Sequence, residues 1–194
     1  MSIIILTVGK GSKVMRVITG KARGVVLKTP EGMTTRPTAD RVKEALFSII
    51  QFNIPNAKVL DLFAGTGQLG IEALSRDAKS AVFVDEQEKA CKLVKENLIK
   101  TKLDSYARVV RSDYSTFLKN CHETYDIIFL DPPYAEKFLE NALNLITEID
   151  ILQSGGIIVT ERPAGKDLVC EFPGYSRSKD YKYSKTVLTI FCKD

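Results

Sequence analysis

Tryptophan is absent from the 194-residue chain, histidine occurs once, at His122, and the four cysteines, at positions 91, 121, 170 and 192, include no Cys-x-x-Cys pair. One histidine and four scattered thiols do not supply the clustered donors of a structural zinc site. Thiols spaced this way read as reduced and structural, the state expected in a cytoplasmic protein. No apolar run is longer than the four residues of Ile3–Leu6, too short for a membrane span or a secretory core. Repeats and low-complexity blocks are also missing. Hydrophobic residues make up 44% and charged residues 27%, ordinary values that exclude wholesale disorder and fibrous architectures. The length suits one α/β core with a small appendage.

Charge is unevenly placed. Residues 10–43 hold nine basic residues against two acids, Glu31 and Asp40, a net +7, which leaves −3 on the rest of a chain whose total is +4. A basic segment ahead of a nearly neutral body suits a polyphosphate partner, because each neutralised phosphate releases counterions. A solvated basic arm accounts for the same pattern.

Residues 1–14 resemble no targeting signal and are set apart as an extension of unassigned function. Residues 15–52 form an appendage. Alternation in Arg16–Thr19 and Val25–Lys28 flanks a turn with Gly20 and Gly24 and predicts a β-hairpin. Pro37 ends an extended stretch, Thr38 is placed to cap, and Val42, Ala45, Leu46, Ile49 and Ile50 fall on one helical face. From residue 53 to 194, strands expected at 58–63, 80–85, 107–111, 126–131 and 156–161 alternate with helices at 67–76, 87–101, 114–120 and 135–149. Unbroken apolar runs such as Ile127–Leu130 suit strands covered on both faces, hence a doubly wound, mostly parallel sheet. A strand over Lys185–Lys193 with no helix after it, preceded by the polar stretch Gly174–Lys185, implies an antiparallel hairpin that closes one edge.

Ligands of such sheets bind beyond the carboxyl ends of the strands. The first strand ends in Asp61-Leu62-Phe63-Ala64-Gly65-Thr66-Gly67, and Gly70 completes a G-x-G-x-x-G pattern with Asp85 twenty positions after Gly65. This spacing also fits a dinucleotide fingerprint, so an NAD-binding oxidoreductase stands as a rival on the glycines alone. Asp61 favours S-adenosyl-L-methionine, whose sulfonium and amino group are cationic and which carries no pyrophosphate. A carboxylate beside a pyrophosphate would repel it. Phe63, Ala64, Gly65 and Gly67 would line that cofactor, Asp85 would meet its ribose hydroxyls and Asp113 its adenine amine, with Glu86 and Tyr114 among the cofactor-binding residues. Asp61 and Asp113 can equally serve as helix-capping carboxylates.

The fourth strand ends in Asp131-Pro132-Pro133-Tyr134. An exocyclic amine on a nucleobase is a poor nucleophile because its lone pair is delocalised into the ring. The Asp131 carboxylate and the Pro132 carbonyl can accept its two N–H bonds and localise that pair, while consecutive prolines, Pro133 included, hold the acceptors in place. Tyr134 offers a face for a flipped base. Ring-carbon methylation would need a cysteine nucleophile, and none of the four cysteines adjoins a proline.

Together these residues resemble the small-subunit (16S) ribosomal RNA guanine-N2 methyltransferases, a likeness that runs from Met15 to the C-terminus. It includes Arg16-Val17-Ile18-Thr19-Gly20-Lys21-Ala22-Arg23-Gly24 and the more specific Thr35-Arg36-Pro37-Thr38-Ala39-Asp40-Arg41-Val42-Lys43-Glu44-Ala45-Leu46-Phe47. The resemblance implies a Rossmann-like methyltransferase fold and the 2-amino group of a guanine as acceptor. It places Arg36, Thr38 and Arg41 at the cofactor or the active-site mouth, and Arg16, Lys21 and Arg23 on RNA phosphates. It further implies a partner that is the small ribosomal subunit or its assembly precursor, with a monomer as the default state and no membrane. Asp85 stands where glutamate is commoner, and Gln68 where a small or apolar residue is. An adenine-amine methyltransferase of DNA or RNA remains the alternative, since Asp131–Tyr134 selects an amine and not a base.

Overall fold

A computed structural model of the chain describes residues 14–30, 37–133, 137–165, 168 and 172–194. Five strands, β1 (Lys58–Asp61), β2 (Ser80–Asp85), β3 (Ala107–Arg111), β4 (Tyr125–Leu130) and β5 (Leu152–Pro163), run parallel in the order β3-β2-β1-β4-β5. Strand β8 (Thr186–Lys193) joins β5 antiparallel and closes that side. The short β6 (Tyr175–Arg177) and β7 (Tyr181–Tyr183) lie along its outer edge, within the polar stretch Gly174–Lys185.

Side chains alternate across the sheet and bury both faces. Val59, Phe83, Phe129 and Val159 point to one side, where they meet Val42, Leu46 and Phe47 of α1 (Pro37–Ile49), Ile71 and Leu74 of α2 (Gln68–Ser75), and Val94 and Leu98 of α3 (Glu88–Thr101). Leu60, Val82, Ile128 and Leu130 point to the other, against Leu118 of α4 (Tyr114–Lys119) and Leu143 and Ile146 of α5 (Phe138–Ile149). The expected strands and helices are therefore present, with ends shifted by a few residues.

The N-terminal segment forms the expected hairpin in a short form: Arg16 bridges Val26 antiparallel, and the Val17 amide bonds the Val25 carbonyl at 3.0 Å and the Leu27 amide the Met15 carbonyl at 2.9 Å. Beyond that pairing its backbone is held by α2. Fully buried Glu72 accepts the Ile18 and Thr19 amides at 2.8 and 3.0 Å and pairs with Lys43 and Arg76, and Ser75 Oγ accepts the Ala22 amide at 3.0 Å. Residues 18 and 19 thus satisfy donors on a side chain that a second strand would otherwise take. The expected Thr38 cap is also displaced, because α1 begins at Pro37 and Thr38 lies inside its first turn. Proline suits a first helical position, where its missing N–H costs no bond.

Candidate active site

The loop from Leu62 to Gly67 leaves β1 and enters α2 over a sharp turn, with Gly65 and Gly67 at φ 53° and 77°, the left-handed region. Gly70 is needed for a different reason. A Cβ there would lie 2.3 Å from the Phe83 ring, so its absence lets α2 approach β2. Asp85, at the end of β2, braces this turn by accepting the Gly65 amide at 2.9 Å and the Gln87 amide at 2.8 Å. A carboxylate keeps further lone pairs, so ribose hydroxyls remain within its chemistry.

Above the strand ends runs a trough of two adjoining lobes, of about 390 and 400 Å³, both lined by Phe63, Gly65 and Asp131. Asp85, Glu86, Asp113, Tyr114 and Pro133 wall the first lobe; Asp61, Ala64, Met15, Pro30 and Lys89 wall the second. Phe63, Tyr114 and Phe138 make an aromatic wall, with ring centroids 5.4 to 6.5 Å apart. Phe138, Met15, Pro30 and Lys89 carry no motif that marks them as site residues, and only the folded chain brings them here.

Three carboxyl groups share one face of this edge. Asp61, Asp131 and Glu161 each lie two residues beyond Val59, Phe129 and Val159, which point to the α1 side, and β4 and β5 run in register from Leu130 and Thr160. Burial pushes the Asp61 carboxyl up to about 7, the Gly70 amide opposes that rise, and Asp85 adds to it. Asp131 sits well above the ordinary carboxylate range, first through burial and then through Glu161 and Asp61. Glu161 follows the apolar run Ile157–Val159 near the end of β5, much as Asp61 follows Val59 and Leu60 at the end of β1, which is the signal that could have singled it out. Crowded, partly desolvated acids of this kind are relieved by a cation and worsened by an anion. The residues present therefore fit S-adenosyl-L-methionine and disfavour the pyrophosphate of NAD.

The capping alternative for Asp113 holds in the structure. Its Oδ1 accepts the amides of Ser115 and Thr116 at 3.1 and 3.0 Å at the start of α4, and the Thr116 hydroxyl first, then these amides and the Ser115 hydroxyl, hold the carboxyl down at about 2. Asp61 likewise accepts the amide of Gly70, in the first turn of α2, at 3.1 Å.

A family model described as Conserved hypothetical protein 95 matches residues 15–192. The chain belongs to that family. Among similar proteins, a Bacillus subtilis candidate rRNA methyltransferase, YlbH, is 41% identical over 182 residues, covering 92% of this chain and 99% of the relative. Ribosomal RNA small subunit methyltransferase D of Escherichia coli K12 is 38% identical over 151 residues, covering 78% of this chain and 76% of the relative. In structure, the Escherichia coli candidate methyltransferase yhhF superposes with a TM-score of 0.84 at 30% identity, covering 94% and 99% of the two chains. The sheet order and the antiparallel β8 are thus those of an α/β methyltransferase fold.

Arg16 and Arg23 flank a small groove of about 330 Å³ with Glu44 of α1. Lys21 lies at the far end of α2, its Nζ 2.7 Å from Asp77 and its amide bonded to the Ser75 carbonyl, about a helix length from the trough. Arg41 is exposed on α1. Arg36 and Tyr134 lie outside the described residues, as does the side chain of Thr38.

Proposed function

We propose that this protein transfers a methyl group from S-adenosyl-L-methionine to the exocyclic 2-amino group of a guanine in small-subunit ribosomal RNA. The observation that carries the reading is the position of Asp131. It directly follows β4 and lines both lobes of the trough, so a base in one part of the trough and a cofactor in another can meet at it. When bound, the cofactor supplies an electrophilic methyl group on a cationic sulfur.

Asp131 and the Pro132 carbonyl accept the two N–H bonds of the amine and direct its lone pair outward. With the cofactor bound, its methyl group would pass to the amine with loss of the sulfur as a neutral thioether, and Asp131 would take the proton that the methylated nitrogen sheds and pass it to solvent. Asp61 holds the cationic amino group of the cofactor's methionine end, Asp85 its ribose hydroxyls, and Phe63 and Tyr114 flank its adenine beside Asp113. Tyr134 stacks on the extruded base. No covalent enzyme intermediate is required, and alignment supplies most of the acceleration.

Arg16, Arg23 and Arg41 engage RNA phosphates, with Lys21 on the outer margin of that surface. The relatives named for small-subunit RNA support the substrate class. The partner is 16S rRNA within the small subunit or its assembly precursor, met in the cytoplasm by a monomer. Among the described residues no helix is long and apolar enough to cross a membrane.

Tritiated methyl transfer to under-methylated small subunits, to free small-subunit RNA and to duplex DNA, followed by nucleoside analysis, tests the reading. Label in N2-methylguanosine supports it, and label in methyladenine would replace guanine with the adenine alternative.

A further inference from the structure

Asn97 of α3 is fully buried, 69 residues from Lys28 and 31 from Thr66, yet its carboxamide joins both. Its Oδ1 accepts the Lys28 amide at 2.7 Å, and its Nδ2 donates to the Lys28 carbonyl at 3.1 Å and to the Thr66 carbonyl at 2.9 Å. The side chain thus pairs with Lys28 as a neighbouring strand would, while its other N–H holds the glycine loop. A second latch lies beside it, Thr66 Oγ1 donating to Met15 Sδ at 3.4 Å. Met15 and Pro30, at the two ends of the N-terminal hairpin, both wall the Asp61 lobe of the trough, as does Thr66. One face of the cofactor site is therefore made of the same segment that presents Arg16 and Arg23.

We propose that Asn97 is a positioning residue that couples the two sites, so that RNA held on the N-terminal segment tightens cofactor binding and bound cofactor tightens RNA binding. This rests on the proposed function above. The physical ground is that three bonds converge on one buried amide. Separating the hairpin from the glycine loop strands polar groups away from water, so the two elements move together or not at all. Reciprocity follows, because a coupling between two binding equilibria acts equally in both directions.

The test compares the wild-type protein with Asn97→Asp, which keeps the shape and the acceptor for the Lys28 amide but places a carboxylate oxygen against two carbonyls. Binding of S-adenosylhomocysteine is measured by equilibrium dialysis on the full chain, with and without saturating small-subunit RNA. In the wild type RNA is expected to tighten binding about tenfold, within the usual range of coupling between sites, and in Asn97→Asp that factor falls to about one. The KM for RNA should rise in the variant more than kcat falls.

A merely structural role would lower the melting temperature and leave the tightening factor intact, and that result overturns the proposal. If Asn97→Asp does not fold, Asn97→Ser, which removes the three bonds without adding a charge, gives the reading instead: a reduced factor supports coupling, an unchanged one refutes it. A wild type that methylates small-subunit RNA but binds S-adenosylhomocysteine equally well with and without RNA sinks the coupling alone. A wild type that does neither sinks the functional reading with it.

Discussion

The Asp61 carboxylate, 2% exposed at the end of β1, accepts the Gly70 amide at 3.1 Å, and Gly70 in turn lies where any side chain would strike the Phe83 ring. One contact therefore ties the acid best placed for a cationic ligand to the close packing of α2 on the sheet. Burial costs the carboxylate more than one amide returns, which is why it titrates near 7.

Replacing Asp61 by Asn is expected to stabilise the ligand-free protein while weakening its affinity for the cationic cofactor. The folded carboxyl titrates near 7 and the unfolded one near 3.8, so the folded form holds its proton more tightly. The contribution of Asp61 to stability is complete below about pH 4 and is lost as pH rises through about 7. The advantage of Asp61→Asn should be small near pH 4, accumulate from there to about pH 7 and level off above it at about 1 kcal/mol or more, each kcal/mol being a rise of roughly 2–4 °C in Tm. Melting curves across that range check it. Cofactor affinity should fall further for S-adenosyl-L-methionine than for the uncharged thioether S-adenosylhomocysteine.

Methyl transfer should rise with pH along a limb displaced above the ordinary carboxylate range, because Asp131 must lose its proton to accept the amine and its neighbours hold that proton on. Glu161→Gln removes a like charge and should move the limb to lower pH. Asp131→Asn should cost about 10²-fold or more in kcat and leave S-adenosylhomocysteine binding near wild type. Rate profiles at saturating cofactor, with binding measured separately, decide both points.

Gly70→Ala would push a methyl group against Phe83, whose ring is fully buried and has little room to yield. A loss of about 1–3 kcal/mol in urea denaturation is expected from the overpacking. Cofactor affinity should fall with it, since the Asp61 contact moves along with α2. A variant as stable as wild type would show that the helix can shift freely.

Substitutions at Asp113 separate its two roles. Asp113→Ala should cost about 1 kcal/mol through loss of the α4 cap, whereas Asp113→Ser, itself a good cap, should restore most of that. If adenine depends on the carboxylate, Asp113→Ser will still bind S-adenosylhomocysteine poorly; if the residue only caps, binding returns with stability. Wild-type stabilisation from this group is present above about pH 4 and drains as pH falls toward about 2, the reverse of Asp61.

Local patterns revealed much of the fold because they report local physics. The unbroken apolar run Ile127–Leu130 became a strand buried on both faces, and the glycines at 65 and 67 took the positive φ their turn requires. Distant partners are what local patterns do not show. Alternation in Arg16–Thr19 and Val25–Lys28 predicts the hairpin that forms, but the Ile18 and Thr19 amides go to the side chain of Glu72, more than fifty residues away. Thr38 looked like a cap by its type, yet the helix had already begun at Pro37. The hairpin expected at the C-terminus is made by β7 with β8, whereas the short β6 leaves no local mark, because its polar sequence pairs only with β8.

By itself the order of residues determined that acids and glycines would stand at the ends of parallel strands, since strand period and chain direction are short-range properties. Which acids become neighbours was decided only when β1, β4 and β5 came to lie side by side, bringing Asp61, Asp131 and Glu161 to one face. The same assembly set Asn97 between Lys28 and Thr66. Burial and Coulomb coupling act through space and not along the chain, so the titration of Asp131 and the making of the cofactor wall belong to the tertiary structure alone.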